Sequence, residues 1–414
     1  MRTILHSDLN NFYASVECLR NPEIRDKPVV VVGSKEDRHG IVLAKNLIAK
    51  RAGVATGDVW WEAQRKCGPE LVEVKADFAA YLDVSRAVRR IYEDYTDKIE
   101  AFGIDECWLD VTESEKQAGG EEIAHAIRRR IKKELGLTVS IGVSWNKVFA
   151  KLGSDMNKPD AVTVISPDNF RQTVWTLPAE ELLYVGRATK GKLNRMGIFT
   201  IGELANSDRD ALKHRLGKWG EWLHDFANGK DSSRVVKTSE EQNVKSIGNS
   251  LTVWRDLKNR EEVSMVIFML ADSVAARMRE SGLFLARTAH IFARGSDLNS
   301  FHKQGKLPRP TGAANEIARA ALNLFDRVYD WETPVRGLGV SVSDFHFGGV
   351  QTDMFSDCVK ADRQKRLDEA VDKIRKKYGN KIIQLAVVHK EPKLKELDVK
   401  GEHVIHPYSF FRHD

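Results

Sequence analysis

Two neighbouring carboxylates, Asp105 and Glu106, stand in the apolar stretch 102–110, and this pair constrains the fold more than any other feature of the chain. The alternation that follows, through Trp108, predicts a β-strand. Because strands are depleted in Asp and Glu, the pair needs a physical reason. It can mark a hairpin turn in which Gly103 and Asp105 are the turn residues, or it can supply oxygen ligands to a hard divalent cation such as Mg²⁺.

A third carboxylate lies near the beginning of the chain. Residues 3–10 predict a short strand that ends around Asp8, and residues 11–19 predict a helix with Asn10 or Asn11 as its N-cap. If this strand neighbours the one that carries the acid pair, three carboxylates meet in one cleft. Three such groups form the ligand set of a two-metal phosphoryl-transfer site.

Three segments in this order resemble the motifs of a known family. Residues 8–17, 104–110 and 140–159 resemble the three sequence motifs of the Y-family DNA polymerases, and within that family the DinB type. The resemblance covers about residues 1–345 of the chain. It implies an α+β multidomain protein, a right-hand polymerase with palm, small fingers, helix-hairpin-helix thumb and a β-α-β-β-α-β little finger. The expected limits are 1–10 and 77–166 for the palm, 11–76 for the fingers, 167–233 for the thumb, 234–245 for a linker, 246–345 for the little finger and 346–414 for a tail.

The resemblance also implies a reaction, template-directed DNA synthesis at a primer 3′-end with low fidelity and tolerance of damaged templates. Asp8, Asp105 and Glu106 are then the catalytic acids and bind two Mg²⁺ ions, with the Leu9 carbonyl as a further metal ligand. A palm-type nucleotide cyclase and a catalytically decayed DNA- or clamp-binding relative remain as alternatives. The intact acids argue against the decayed relative, and the thumb and little finger argue against the cyclase.

Nucleotide contacts follow from the same resemblance. Tyr13 is the expected steric gate against a 2′-hydroxyl, while the default for Phe12 is a buried helix aromatic. The cations of the short basic helix 45–53 either form a solvated face or lie over the incoming triphosphate. In that helix the family's usual Tyr and Arg are replaced by Leu47 and Lys50, and Lys keeps the charge but loses the bidentate fork. The expected nucleotide-binding residues are Phe12, Tyr13, Lys50 and Lys158.

Several segments are candidates for contact with DNA. Residues 182–193 predict a helix-hairpin-helix with its turn at Val185 and Gly186, although an ordinary αα-hairpin has a similar pattern. The polybasic run 128–133 is better explained as a solvated helix face. In the little finger the candidates for backbone contacts, each equally compatible with ordinary surface, are Lys245, Arg255, Arg287, Arg294 and Arg336.

The tail contains a short peptide that resembles the Gln-x-x-Leu-Phe type that docks on the sliding clamp. Gln351 would be its polar tether, and Met354 and Phe355 its apolar anchors, although pentapeptides also match by chance. Residues 362–377 predict a charged amphipathic helix with one apolar stripe, for which packing on the tail's own small unit is the simplest interpretation.

Composition restricts the setting of the chain. The 414 residues exceed a typical single domain, and the formal net charge of +6 is compatible with a polyanionic partner. The four cysteines form no C-x-x-C pair, and no apolar run is long enough to span a bilayer, so we expect a cytoplasmic protein without a membrane partner. The expected partners are primer-template DNA, deoxynucleoside triphosphates and the sliding clamp, and the expected state is a monomer.

Overall fold

The structure is a computed structural model that describes residues 1–33, 40–114, 118–238, 240, 244–282, 285–346 and 358–401, of which the side chains of 358–361 are outside the description. The described residues fall into two compact units, one that includes 1–32 and 42–240 and one that includes the residues from 244 onward. The clamp-type peptide with Gln351, Met354 and Phe355 lies outside the described residues.

The first unit contains eight described strands and eleven described helices. Its strands are β1 (Ile4–Leu9), β2 (Val29–Val32), β3 (Val42–Lys45), β4 (Val72–Lys75), β5 (Ile99–Ala101), β6 (Glu106–Asp110), β7 (Val139–Ser144) and β8 (Val162–Val164). Its helices are α1 (Phe12–Arg20), α2 (Leu47–Arg51), α3 (Trp60–Cys67), α4 (Phe78–Glu93), α5 (Gly120–Leu135), α6 (Lys147–Met156), α7 (Phe170–Thr173), α8 (Arg187–Asn194), α9 (Ile201–Asn206), α10 (Arg209–Leu216) and α11 (Lys218–Ala227).

A five-stranded sheet in the order β5-β6-β1-β7-β8 forms the palm. The predicted antiparallel sheet is present, with one parallel pair, β7 and β8, at its edge. Successive residues of the central strand β1 point to opposite faces. Leu5 and Leu9 pack in the core with residues of α1, α4 and α5, whereas His6 and Asp8 face α6.

The fingers contain a second, three-stranded sheet in the order β3-β2-β4. Its central strand consists of four valines that are all buried, which explains why a run without alternation forms a strand here. Helix α2 begins at an Asn46 N-cap whose side chain accepts a hydrogen bond from the Ala49 N–H, and Lys50 is exposed in its last turn.

The thumb is a set of short helices, α7 to α11. The sequence predicts two helices on either side of Val185 and Gly186, but only the second of them, α8, is an α-helix, because residues 179–181 form a single 3₁₀ turn. The predicted capping box of α9 is present, with reciprocal hydrogen bonds between Thr200 and Glu203.

The segment after the thumb is fixed to the palm, although its polar composition predicts a linker. Arg2 donates hydrogen bonds to the carbonyls of Asp231 and Ser233, and the buried side chain of Val235 joins a small core cluster that includes Trp108. The Val236 N–H donates to the Glu100 carboxylate at 2.9 Å. The first half of the predicted linker is therefore part of the palm surface.

The second unit has four strands, β9 (Ser246–Leu257), β10 (Leu285–Gly295), β11 (Ser300–Thr311) and β12 (Val335–His346), and four helices, α12 (Arg260–Glu280), α13 (Ala314–Asp326), α14 (Cys358–Tyr378) and α15 (Pro392–Glu396). The sheet order is β11-β10-β12-β9, with every neighbouring pair antiparallel. The chain order β9-α12-β10-β11-α13-β12 is the predicted β-α-β-β-α-β arrangement. Residues of α12 and α13 share one buried core with the sheet.

The tail helix α14 is attached mainly through charged groups rather than through its apolar stripe. Instead of burying an apolar stripe within a separate tail unit, α14 binds α12 through charged groups, with Arg279 on Asp372 at 2.5 Å and Arg375 on Asp272 at 2.9 Å. Leu367 and Ile374 of the predicted stripe are exposed. Among the described helices of the chain, none combines the length and the apolar character needed to cross a membrane.

Candidate active site

The register of the palm sheet brings the three acids together. Asp8 on β1 lies directly opposite Glu106 on β6, and directly opposite residues of an antiparallel pair project from the same face. The Leu9 N–H donates to the Asp105 carbonyl at 3.1 Å, which joins the start of β6 to the end of β1. The prediction that these acids share one environment is thus met by the geometry, while their catalytic role stays a prediction.

Two lysines within the third motif, Lys151 and Lys158, contact two of these acids, Asp8 and Glu106. The Lys151 ammonium lies 3.1 Å from an Asp8 oxygen and 3.0 Å from a Glu106 oxygen. The Lys158 ammonium lies 2.8 Å from the same Asp8 oxygen. Asp155 contacts both ammonium groups, at 3.2 Å and 2.7 Å.

The pKa values of the acids reflect this crowding. Burial, together with the charges of Asp8 and Glu106, raises the pKa of Asp105 to about 7. Burial alone would raise the pKa of Glu106 as well, but the contacts with His6 and Lys151 outweigh it and lower that pKa to about 2. The carboxylates therefore compete for protons and cations within one low-dielectric site.

His6 contacts Glu106 from the buried side of the site, and this contact was not predicted from the sequence. Its fully buried ring lies with Nδ1 2.9 Å from the Ser154 hydroxyl and Nε2 3.5 Å from a Glu106 oxygen. Burial lowers the pKa of His6. Lys151 and Asp155 were missed too, although their i,i+4 spacing places them on one side of α6 and could have indicated them.

The donor set fits a hard divalent cation. Asp8, Asp105 and Glu106 offer only carboxylate oxygens, and the ammonium of Lys151 already occupies the space between two of them. The described residues contain no group of three or more His, Cys, Asp or Glu side chains gathered for a metal ion.

An aromatic wall lies beside the acids. Tyr13 stacks on Tyr81 with ring centroids 4.3 Å apart and also contacts Phe78 edge-on. Burial, together with the charge of Asp105, raises the pKa of Tyr13 to about 12. Phe12 is buried in the core, as the default for this residue predicts.

Asn11 occupies the N-cap of α1 without a side-chain hydrogen bond, whereas Asn10 bonds Ser140.

The fingers present two neighbouring cations. Burial and the charge of nearby Lys50 lower the pKa of Lys45, and the Lys45 ammonium donates to the Thr56 hydroxyl at 2.9 Å. The charge of Asp58 opposes the effect of Lys50 on this pKa. Leu47, on the same helix, is half-buried.

The predicted DNA contacts of the second unit are separated by the structure into two groups. Arg287 and Arg294 are exposed on β10, where Arg287 bonds His346 and Arg294 bonds Ser300. Lys245 is exposed just before β9, and Arg336 is half-buried on β12. Arg255 differs from them because its guanidinium is engaged by Glu262 and by Glu391 of the tail, each at 3.0 Å.

The predicted thumb residues lie at the start of α8. Val185 is buried in the thumb core, and Gly186 is the N-cap residue of the helix. The backbone N–H groups at this start have no side-chain cap.

Comparison with known proteins agrees with this architecture. Family models match residues 7–155 (impB/mucB/samB family), 244–354 (impB/mucB/samB family C-terminal domain) and 180–231 (DNA polymerase-iota, thumb domain). DNA polymerase IV of Acetivibrio thermocellus is 53% identical over 91% of this chain and 95% of its own length. DNA polymerase IV 2 of Bacillus subtilis is 36% identical over 92% of this chain and 93% of its own. A solved Y-family DNA polymerase chimera superposes with a TM-score of 0.74 at 25% identity, over 84% of this chain and 100% of its own.

The chain therefore belongs to the impB/mucB/samB family, the Y-family DNA polymerases, of the polymerase IV type. The predicted fold class and the predicted enzyme class, a low-fidelity DNA-directed DNA polymerase, are confirmed at the level of this family. These relatives support neither the cyclase nor the decayed DNA-binding protein. Membership of the family also implies that activity depends on a divalent metal ion.

Proposed function

We propose that the chain extends a primer 3′-end on damaged as well as intact templates, and that Asp8, Asp105 and Glu106 hold two Mg²⁺ ions with help from the Leu9 carbonyl. The observation that carries this proposal is the β1–β6 register, which sets Asp8 opposite Glu106 with Lys151 between them. When bound, such ions lower the pKa of the primer hydroxyl and neutralise the triphosphate.

The reaction is an in-line displacement at phosphorus. The primer 3′-oxygen loses its proton and forms a bond to the α-phosphorus, while the bond to the bridging oxygen breaks and pyrophosphate leaves with the electron pair. In this proposal Lys158 and Lys50 bind the phosphates of the incoming nucleotide, and Tyr13 packs against its sugar. Lys158 supports this role because its ammonium lies beside Asp8, where a triphosphate would meet it.

Duplex DNA is the second substrate in the proposal. The thumb would hold its backbone at Val185 and Gly186, and the second unit would hold it through Lys245, Arg287, Arg294 and Arg336. Arg255 is the weakest of the proposed contacts because two carboxylates already bind it. The domain limits expected from the sequence are part of the same proposal.

We propose separately that a sliding clamp recruits the chain through Gln351, Met354 and Phe355. We also propose that the chain acts as a monomer. The test is binding of the full chain to purified sliding clamp by surface plasmon resonance. Met354→Ala/Phe355→Ala should abolish the binding and leave extension of short primers unchanged. If this variant bound the clamp as tightly as the wild type, the peptide would be excluded as the clamp-binding segment.

The test of the catalytic proposal is primer extension with Mg²⁺ on intact and abasic templates. Asp105→Ala/Glu106→Ala should lose extension entirely, because two dications would then face a single acid. Glu113→Gln is the matched control, since this exposed acid pairs with Lys98 away from the site. Extension by the double variant at the rate of the control would refute the assignment of the acids.

A further inference from the structure

The thumb carries three aromatic side chains that its own core does not cover. Tyr184, Trp219 and Trp222 are 50%, 48% and 44% exposed, and we name them the thumb aromatic cluster. Tyr184 contacts Trp219 with ring centroids 5.4 Å apart, and Trp219 contacts Trp222 at 4.9 Å. Rings held in contact and half in water form a preorganised apolar surface, because their side-chain entropy is already lost.

The cluster lies between the starts of two helices. Tyr184 precedes Gly186, the N-cap of α8, by two residues, and Trp219 follows Gly217, the N-cap of α11, by two residues. Neither helix start has a side-chain hydrogen bond to its free N–H groups. The contact between Tyr184 and Trp219 thus brings two uncapped helix starts next to one aromatic surface.

The glycine at the first of these starts is not explained by the protein itself. Gly186 has φ −78° and ψ 176°, a conformation open to any residue. A Cβ added there would meet no atom within 4 Å, so packing does not require glycine either. What glycine does provide is an open backbone that a ligand can approach closely.

The charges of this surface favour an anion. Three of the acids nearby are paired, Glu180 with Lys190, and Glu221 and Asp225 with Arg209, while Glu181 is exposed. Arg187 and Lys218 are exposed, and among the residues that the structure describes neither takes part in an ion pair. Each is the first residue of its helix, where the macrodipole disfavours a cation, so each start gathers positive charge that a phosphate would relieve.

We propose that the thumb aromatic cluster packs against the deoxyribose groups of the primer-template duplex, between two phosphates bound at the starts of α8 and α11. This inference rests on the proposed function and extends it, because it assigns a non-ionic contact to Tyr184, Trp219 and Trp222. The contact would be independent of base sequence, as copying requires, since every nucleotide presents the same sugar.

The experiment measures binding of the full chain to a fluorescein-labelled primer-template duplex by anisotropy over a series of KCl concentrations. Trp219→Ala/Trp222→Ala should weaken binding about tenfold, because the apolar surface that the two rings bury against the sugars is lost. The slope of log K against log[KCl] should not change, because no phosphate contact is lost. Lys218→Ala should instead reduce that slope by about 0.9. Phe199→Ala is the matched control, since Phe199 is also exposed on the thumb, by 57%, but lies outside the cluster, and it should bind like the wild type.

Unchanged affinity of the double variant would overturn the inference, and so would a loss of affinity accompanied by a smaller salt slope. Self-association that depends on the two tryptophans, seen by sedimentation, would overturn it in favour of a second copy as the occupant. Tyr184→Ala, tested in parallel, decides the matter if circular dichroism shows that the double variant is unfolded. A wild-type chain that extends primers while the variants bind normally refutes only this inference, whereas a wild type that binds no duplex refutes the proposed function.

Discussion

Gly142→Ala should disrupt the site without touching any acid or lysine. Gly142 lies on β7 opposite His6, on the face that α6 covers. A Cβ at this position would lie 1.9 Å from the Ala150 carbonyl oxygen and 2.5 Å from the Ser154 nitrogen. Both are backbone atoms of α6, so no side-chain rotation can remove the collision, and the helix must move by about 1.5 Å before the contact is an ordinary van der Waals one.

The magnitude follows from the same geometry. Overpacking of this kind costs about 3 kcal/mol of unfolding free energy or somewhat more. For a unit of this size each kcal/mol lowers the melting temperature by about 2–4 °C, so we expect a decrease of about 6–12 °C. Lys151 follows Ala150 directly, and its two contacts with the acids at 3.1 and 3.0 Å would be lost with such a shift. A displacement of 1 Å can already reduce the rate about a hundredfold, so we expect primer extension to decrease by at least that factor.

Two glycines serve as matched controls for circular dichroism melting and primer extension. Gly153→Ala places a methyl group 3.2 Å from the Gly142 Cα and 3.3 Å from the Thr163 carbonyl oxygen, a milder crowding of the same contact. Gly191→Ala in α8 meets nothing within 4 Å, and it should stabilise the chain by up to about 1 kcal/mol through helix propensity. A melting temperature of Gly142→Ala within about 1 °C of the wild type would refute the claim that close backbone contact sets the position of α6.

Three further predictions concern the same unit. Tyr13→Ala should raise ribonucleotide incorporation, measured as the ratio of kcat/KM for ribo- and deoxynucleotides, and an unchanged ratio would exclude Tyr13 as the gate. In the absence of divalent metal, Asp105 has a raised pKa of about 7 in the folded chain. The free energy of unfolding should therefore be unaffected by the ionisation of Asp105 below about pH 4, and it should fall by up to about 1.4 kcal/mol per pH unit from there to pH 7, because the folded chain then holds the proton more tightly than the unfolded one. Urea unfolding in EDTA should show this decrease in the wild type and not in Asp105→Asn. Glu100→Ala should cost about 2–4 kcal/mol, since it leaves the Lys147 ammonium and the Val236 N–H without their carboxylate, and Glu100→Gln should cost less than half of that. Equal losses in the two Glu100 variants would contradict that account.

The strands and helices that carry the acids were predictable because their signals are local. Asp8 closes a short apolar strand, and Asp105 and Glu106 open another, so periodicity and the chemistry of carboxylates were sufficient. Strand β11 was not located, since it is an edge strand that contains Lys, Gln, Gly and two prolines and lacks the alternation of a half-buried strand. Proline is tolerated there because an edge leaves N–H groups unpaired.

Contacts between distant polar groups were not predictable. The segment around Val235 has the composition of a linker, yet Arg2 and Glu100 hold it to the palm through backbone hydrogen bonds. Helix α14 has a regular apolar stripe, yet it attaches to α12 through Asp372 and Arg375. In both segments the hydrophobic pattern misleads, because ion pairs and main-chain bonds determine the packing and neither leaves a periodic trace in the sequence.

The order of strands in the palm explains why residues from three distant motifs converge. Strand β1 lies between β6 and β7, so Asp8 has Glu106 on one side and Ser140 on the other. Helix α6 follows β7 directly and crosses back over the same face, which a glycine at position 142 makes possible. That return places Lys151 over the acids. The site is therefore a consequence of one central strand and one close helix contact, and a change in either should displace the cations and the carboxylates together.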